Sequence, residues 1–260
     1  SAPRRGNPAG FYCLHPARII SAASAKFSAF CREDRRARCL PHILHKEGMP
    51  VSARGRTGVR LLQANKGEGD RMIYLDNAAG SHPKPEQVKL AMAEALDRYG
   101  ANPGRGNYQL TRQTSAMVDQ TRQKLAAFVG APAPERMIFT AGATMSLNLA
   151  LRGLLRAGDH VIYSGMEHNA VYRPLAALED GKTVSLTRIK PDAYGYITAG
   201  QVERALRPNT ALIALSHASN VCGSVQPIAE IGSIAQARRI PFLVDAAQSA
   251  GLLPLDVEGM

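Results

Sequence analysis

The segment PFLVDAAQSAG, residues 241–251, ends a short apolar run with an acid, Asp245, and places an amide, Gln248, three residues later. An apolar run of this length between Pro and Gly predicts a buried strand of a parallel sheet. Ligands of such sheets bind beyond the carboxyl ends of the strands. A carboxylate at that position needs a cationic partner to offset its desolvation, and no Lys or Arg lies between residues 240 and 260.

Similar apolar runs alternate with helical stretches from Met72 onward, which predicts an α/β domain with a mostly parallel sheet flanked by helices. Strands are predicted at 72–79, 137–141, 160–164, 183–189, 211–217 and 241–246. Helices are predicted at 84–99, 112–129, 144–156, 169–179, 198–207 and 227–238. Three glycines, Gly130, Gly158 and Gly181, occupy predicted helix ends, where a positive φ is common.

The basic residues are concentrated at the start of the chain. The 260 residues carry a formal net charge of +11, and residues 1–71 hold 14 of the 32 basic residues but 5 of the 21 acidic ones. This region is rich in Gly, Pro, Ser and Arg and has no sustained periodicity, so we predict a low-complexity extension that is disordered or non-native. Residues 72–260 form the predicted domain.

Several interpretations of residues 1–71 stay open. A nucleic-acid-binding arm would place arginines on phosphates, but the region lacks a series of aromatic residues for base stacking. A transit peptide fits the Arg- and Ser-rich start, and translation beginning at Met72 fits the change of pattern there. A zinc site would have irregular spacing and no paired CxxC among its ligands, which would be Cys13, Cys31, Cys39, His42 and His45.

The composition argues against two other classes of protein. Four cysteines do not suggest a disulfide scaffold. The chain has no apolar run of about 18 residues or more, so we predict a soluble, cytoplasmic protein without a membrane-spanning helix.

A phosphate-binding site is predicted where the strand at 137–141 breaks at Gly142. The helix that follows opens with Ala143 and Thr144, and its first N–H groups and the positive end of its dipole favour an anion. Neither GxGxxG nor GxxxxGK[ST] is present, so no Rossmann or P-loop nucleotide site is indicated. Taken alone, the junction is equally compatible with an ordinary Thr-capped turn.

Two further strand ends carry candidate ligand-binding residues. His168 directly precedes a predicted helix, where it can cap the helix, act as a general base or lie on a flat ligand. Asn220 precedes a turn, and its ordinary role would be an Asx turn. A protonated pyridine nitrogen would supply the cation that Asp245 needs, and the four strand ends together fit one flat, phosphorylated ligand, pyridoxal 5′-phosphate (PLP).

The motifs of this domain resemble the class V aminotransferases of PLP fold type I, and within them the cysteine desulfurases and selenocysteine lyases. The matching motifs are YLDNAAGSHPKP (74–85), ANPGRGNYQL (101–110), MIFTAGATMSLNLA (137–150), GDHVIYSGMEHNAVYRPL (158–175), LIALSHASNVCGSVQPI (212–228) and FLVDAAQSAGLLPLDV (242–257).

The resemblance implies a role for each candidate residue. Ala143 and Thr144 would bind the cofactor phosphate, and His168 would stack on the pyridine ring and serve in catalysis. Asn220 and Gln248 would bond the phenolic oxygen, and Asp245 would pair with the ring nitrogen. No metal site is implied.

The sequence also departs from the family pattern. The family's Schiff-base lysine follows the aspartate in a Ser/Thr-x-His-Lys stretch, whereas the last lysine here is Lys190, at the exit of a predicted strand, and the chain stops at Met260. Residues 72–260 would then be an incomplete large domain without the small C-terminal domain, its nucleophilic cysteine and its carboxylate-binding arginine. Cys222 could substitute as a nucleophile or could be a small packing residue.

For the full-length protein, the resemblance implies conversion of L-cysteine to L-alanine with formation of an enzyme persulfide, in a homodimer. The sulfur acceptor is not specified, and no membrane or nucleic-acid partner is implied. Selenocysteine lyase, aminotransferase and epimerase activities remain alternatives. So does a non-catalytic fragment, because covalent catalysis of this type requires the lysine.

Overall fold

A parallel sheet forms the centre of the protein. The computed structural model describes residues 18–21 and 73–259. Its strands are Arg18–Ser21 (β1), Asp159–Ser164 (β2), Val184–Ile189 (β3), Thr210–Ser216 (β4) and Phe242–Asp245 (β5). They lie in the order β1-β5-β4-β2-β3, and every neighbouring pair is parallel. The predicted α/β class with a mostly parallel sheet is confirmed.

Helices connect the successive parallel strands. The helices of residues 73–259 are Glu86–Arg98 (α1), Gln109–Phe128 (α2), Ala143–Leu154 (α3), Asn169–Asp180 (α4), Ala199–Ala205 (α5) and Ile228–Ala237 (α6). Each overlaps a predicted helix. Because α4, α5 and α6 each join one parallel strand to the next, the carboxyl ends of β2, β4 and β5 meet at one edge of the sheet.

Both faces of β2, β4 and β5 are buried, which explains the apolar runs in these three strands. On β4, Leu212 and Ala214 pack with one cluster, and the alternate residues Ile213 and Leu215 pack with the other. The first cluster receives side chains from α3 and α4, which are Leu147, Leu151, Val171 and Leu175. The second receives Val202 from α5 and Ile228, Ile231 and Ala235 from α6.

The strand β1 lies within the region predicted to be a low-complexity extension. It pairs with β5 in a register that places Ser21 beside Asp245. The four residues 18–21 therefore have a regular conformation that the sequence analysis did not anticipate. The boundary at residues 71 and 72 stays a prediction, and the potential zinc ligands lie outside the described residues.

Two predicted strands are wrong. Residues 73–76 have no regular structure and are followed by the turn 77–79, and the side chain of Leu75 is exposed. Residues 137–141 follow a 3₁₀ turn at Pro134–Arg136 and form no strand. An apolar run forms a strand only when its backbone groups hydrogen-bond to a neighbouring strand, and neither segment pairs with a described strand.

The positive φ predicted for the three helix-end glycines is confirmed at two of them. Gly130 and Gly158 have φ of 67° and 89°. At the end of α4, however, Gly181 has a φ of −74°, and the next residue, Lys182, takes the left-handed conformation with a φ of 55°.

Replacing Lys182 with glycine is expected to stabilise the protein by about 0.5–1 kcal/mol, because a residue with a Cβ is strained at this φ. Urea denaturation of the two proteins measures the difference. A matched control is Lys190→Gly, at an exposed position where φ is not positive and where glycine should destabilise the fold. Equal changes in both variants would contradict the prediction.

Residues 73–259 include no helix that is both long enough and apolar enough to cross a membrane.

Candidate active site

Asp245 is a buried acid that forms no ion pair with a described Lys or Arg. It is the last residue of β5 and is 7% exposed, and its Oδ1 accepts a hydrogen bond from the Ala247 N–H at 3.0 Å. No ion pair found in the described part of the chain includes it. Burial raises the pKa of this carboxyl group, and the hydrogen bond from Ala247 and the nearby His168 partly oppose that shift. A positive charge bound beside Asp245 would therefore stabilise its carboxylate form.

His168 lies close to this acid, at the start of α4. As the N-cap of the helix, its Nδ1 accepts a hydrogen bond from the Ala170 N–H at 3.1 Å. A neutral His168 ring with this contact carries its proton on Nε2. The residue is exposed, so helix capping holds the ring by one nitrogen and leaves its face accessible to a ligand.

The start of α3 forms an open pocket of about 500 Å³. The N-cap is Gly142, which has no side chain to close the first turn, and a Cβ at this position would meet no atom within 4 Å. The pocket is lined by Ala141, Gly142, Ala143, Thr144, Met145 and Asn148. A helix N-terminus with an open backbone approach can receive an anion.

Asn220 and Gln248 follow β4 and β5 at the carboxyl edge of the sheet. Asn220 lies in an exposed turn, and its side chain makes no hydrogen bond within residues 73–259. The Gln248 Nε2 donates to the Ala78 carbonyl oxygen at 3.3 Å, which connects the turn after β5 to the turn 77–79. The structure thus brings His168 and Asp245 together, whereas no hydrogen bond links Thr144, Asn220 or Gln248 to that pair.

Glu167 is a component of this edge that the sequence analysis missed. Its carboxylate accepts hydrogen bonds from the Ser164 Oγ and from both the N–H and the Oγ of Ser216, the last two at 3.0 Å. Although the residue as a whole is only partly buried, desolvation of its carboxyl group raises the pKa to about 7, and Asp245 adds to the shift. Its position directly before His168 was the available signal.

Because the pKa of Glu167 is raised, the stability of the folded protein should fall as the pH rises. Because the folded protein holds this proton more tightly than the unfolded chain, where the pKa is about 4.5, the contribution to stability is lost as the pH rises towards 7 and above. Relative to Glu167→Gln, the native protein should lose about 2–3 kcal/mol between pH 4 and pH 8. Urea denaturation at both pH values tests this, with the exposed Glu230→Gln as control. A constant difference would contradict it.

Cys222 is exposed, so it is not a packing residue. Its Sγ lies 3.3 Å from the Ser224 Oγ, and this hydrogen bond lowers the pKa of the thiol. Lys190 follows β3 directly and is also exposed. No group of three His, Cys, Asp or Glu side chains within the described residues is placed to hold a metal ion.

The family comparison matches the region that contains all these residues. The model of the family described as Aminotransferase class-V matches residues 73–260.

The chain belongs to the class-V aminotransferase family.

Among curated class-V relatives, the cysteine desulfurase IscS of Tolumonas auensis is 37% identical over 193 residues, which are 72% of this chain and 47% of the relative. A probable cysteine desulfurase of Methanothermobacter thermautotrophicus is 36% identical over 189 residues, 72% of this chain and 46% of the relative. The chain therefore spans about half the length of the curated relatives it matches.

Solved class-V structures share the fold. The structure of SspA in complex with cysteine matches with a TM-score of 0.67 and 38% identity, covering 72% of this chain and 54% of that one. The apo cysteine desulfurase of Thermococcus onnurineus matches with a TM-score of 0.65 and 32% identity, covering 71% of this chain and 46% of that one. These similarities identify the sheet and its helices as part of PLP fold type I.

Cysteine desulfurases and other class-V enzymes depend on PLP. One structural observation shows that the residues of this chain fit that cofactor: the buried carboxyl group of Asp245 has a raised pKa and forms no ion pair among the described side chains. A protonated ring nitrogen would supply the missing charge.

Proposed function

We propose that the whole protein is a PLP-dependent cysteine desulfurase that converts L-cysteine to L-alanine and retains the sulfur as an enzyme persulfide. The buried Asp245, which lies near His168 and forms no ion pair among the described residues, carries the proposal, because the two side chains suit a flat cationic ring. The relatives named cysteine desulfurase and the similar structure of SspA in complex with cysteine support this substrate.

The residues of this chain would bind and orient the cofactor. Asp245 would keep a proton on the ring nitrogen, and the His168 ring would cover one face of the pyridine. The N-terminus of α3, at Ala143 and Thr144, would hold the phosphate, and Asn220 and Gln248 would bond the phenolic oxygen. Bound PLP supplies an electron sink for negative charge that develops on the substrate.

Burial of Asp245 gives this arrangement its chemical effect. In a low-dielectric site, a carboxylate stabilises a nearby cation more strongly than it would in water. The ring nitrogen would therefore stay protonated at neutral pH, which is the state in which it withdraws electrons. His168 can contribute its ring face while its Nδ1 remains occupied by the cap to Ala170.

The decisive experiment uses the whole protein, purified with PLP and supplied with L-cysteine and a thiol reductant. We expect a visible absorbance band from bound PLP and equal amounts of alanine and sulfide. Activity only with selenocysteine would assign a lyase, a requirement for a keto acid would assign an aminotransferase, and racemisation without sulfide would assign an epimerase. Each of these results would replace the desulfurase proposal.

A second candidate function concerns the 260-residue chain by itself. Because no lysine follows Lys190, we propose that this chain, alone, binds PLP without a covalent bond and does not turn over cysteine. Borohydride treatment tests this, since it reduces a Schiff base between PLP and a primary amine of the protein to a stable bond, and peptide mapping then identifies the amine. Incorporation of cofactor into the 260-residue chain would contradict the proposal.

We further propose that the whole protein is a homodimer located in the cytoplasm. Light scattering of the purified whole protein measures its mass, and a monomer would contradict the first part. Fractionation of the source cells would test the second.

A further inference from the structure

The carboxyl group of Glu167 connects the ends of two strands. At the end of β2, the Ser164 Oγ donates to Oε1. At the end of β4, the Ser216 N–H donates to the same oxygen at 3.0 Å and the Ser216 Oγ donates to Oε2 at 3.0 Å. One side chain thus holds both strand ends at the edge of the sheet where Asp245 lies.

These bonds fix the turn that carries His168. The other hydrogen bonds of residues 165 and 166 lead to β3 and β2, through Gly165 N–H to the Ile189 carbonyl oxygen at 2.8 Å and Met166 N–H to the Ser164 Oγ at 3.1 Å. Among the described residues, Glu167 is the only member of the turn 165–168 that hydrogen-bonds to β4.

The connection continues from β4 to Asp245. Ser216 is the ladder partner of Asp245, and the N–H of the next residue, His217, donates to the Asp245 carbonyl oxygen at 2.9 Å. The path from His168 to Asp245 therefore passes through Glu167 and one residue of β4. A change at Glu167 would release the His168 turn from the strand that is paired with Asp245.

Stability alone does not account for a carboxyl group at this place. Its donors are neutral, and the titratable groups that interact with it are Asp245 on β5 and Tyr163 on β2, neither of which is a cation. Desolvation dominates its ionisation and disfavours the charged form. A buried charge with neutral donors and an acid beside it costs folding free energy.

We propose that Glu167 is a positioning residue of the cofactor site, whose carboxyl group sets the spacing between the His168 ring and the Asp245 carboxylate. The inference rests on the proposed binding of PLP, because the placement of His168 and Asp245 would matter through that cofactor's ring. Glu167 acts through His168 and Asp245 and does not touch the reacting atoms.

The test measures PLP affinity and the circular dichroism that the site induces in bound PLP, using the whole apoprotein. Glu167→Ala removes the connection and should weaken PLP binding by about tenfold or more, with loss of the induced signal. Glu167→Gln can still accept from Ser164 Oγ and the Ser216 N–H and can donate to the Ser216 Oγ, so it should stay within about threefold of the native affinity. The exposed Glu230→Gln on α6 is the matched control.

Native affinity and native dichroism in Glu167→Ala would overturn the inference. So would equal losses in Glu167→Ala and Glu167→Gln, which would indicate a role for the charge rather than for the connection. If Glu167→Ala does not fold, the double variant S164A/S216A removes the two hydroxyl donors and leaves Glu167 in place. It should lose affinity and dichroism in the same direction, and unchanged values would overturn the inference. Failure of the native protein to bind PLP would instead overturn the proposed function.

Discussion

Replacing Asp245 with asparagine is expected to lower the turnover of L-cysteine by about 10²–10³-fold, the scale of removing one preorganised electrostatic contact. Asparagine is nearly isosteric and its Oδ1 can still accept the hydrogen bond from Ala247. It carries no charge, however, so it cannot hold a proton on the ring nitrogen of PLP. Steady-state kinetics and the absorbance spectrum of the bound cofactor measure the two consequences.

The same substitution should not destabilise the protein without its cofactor. Because burial raises the pKa of Asp245, its contribution to stability is lost as the pH rises through that pKa. At pH 8 the apo form of Asp245→Asn should therefore equal or exceed the native protein in resistance to urea. Asp119→Asn, at an exposed position on α2, is the matched control for both measurements. Native turnover in Asp245→Asn would exclude the proposed electrostatic role.

The central sheet could be predicted from the sequence mainly because β2, β4 and β5 are buried along nearly their whole length. The strands β2, β4 and β5 each contain a short apolar run that is buried, whereas the edge strand β3 mixes apolar and polar residues. The helices between the strands have their own periodicity. The polar residues that interrupt the pattern at the strand ends, such as Asp245 and His168, were predicted for the same reason. The carboxyl ends of parallel strands lie at the same edge of a sheet, so residues that follow these strands lie at that edge irrespective of how the side chains pack.

Other features depend on contacts that no local pattern specifies. The run at 137–141 is apolar enough for a strand but has no ladder partner among the described strands. The pairing of Arg18–Ser21 with β5 depends on an edge about 220 residues further along the chain. Glu167 appears in the sequence as an ordinary polar turn residue, and only the neighbouring end of β4 shows that its carboxyl group is enclosed.

Replacing Thr144 with aspartate is expected to weaken PLP binding by about 10²–10³-fold while slightly stabilising the helix. Thr144 is the second residue of α3, after the Gly142 cap. An acid there interacts favourably with the helix dipole, by about 0.3–1 kcal/mol. A unit charge about 4 Å from a phosphate charge is opposed by about 4 kcal/mol at the effective dielectric constant of a protein surface. Thermal unfolding of the apoprotein and PLP titration should therefore change in opposite directions.

Pyridoxal without its phosphate distinguishes this electrostatic effect from damage to the ring site. The affinity of Thr144→Asp for pyridoxal should match that of the native protein, because no anion then lies at the start of α3. Thr144→Asn is the neutral control and should retain PLP affinity within about tenfold, since it removes one hydroxyl contact and adds no charge. If Thr144→Asp weakened PLP and pyridoxal equally, the phosphate would have to bind somewhere other than at this helix N-terminus. The pocket beside Gly142 would then have another role.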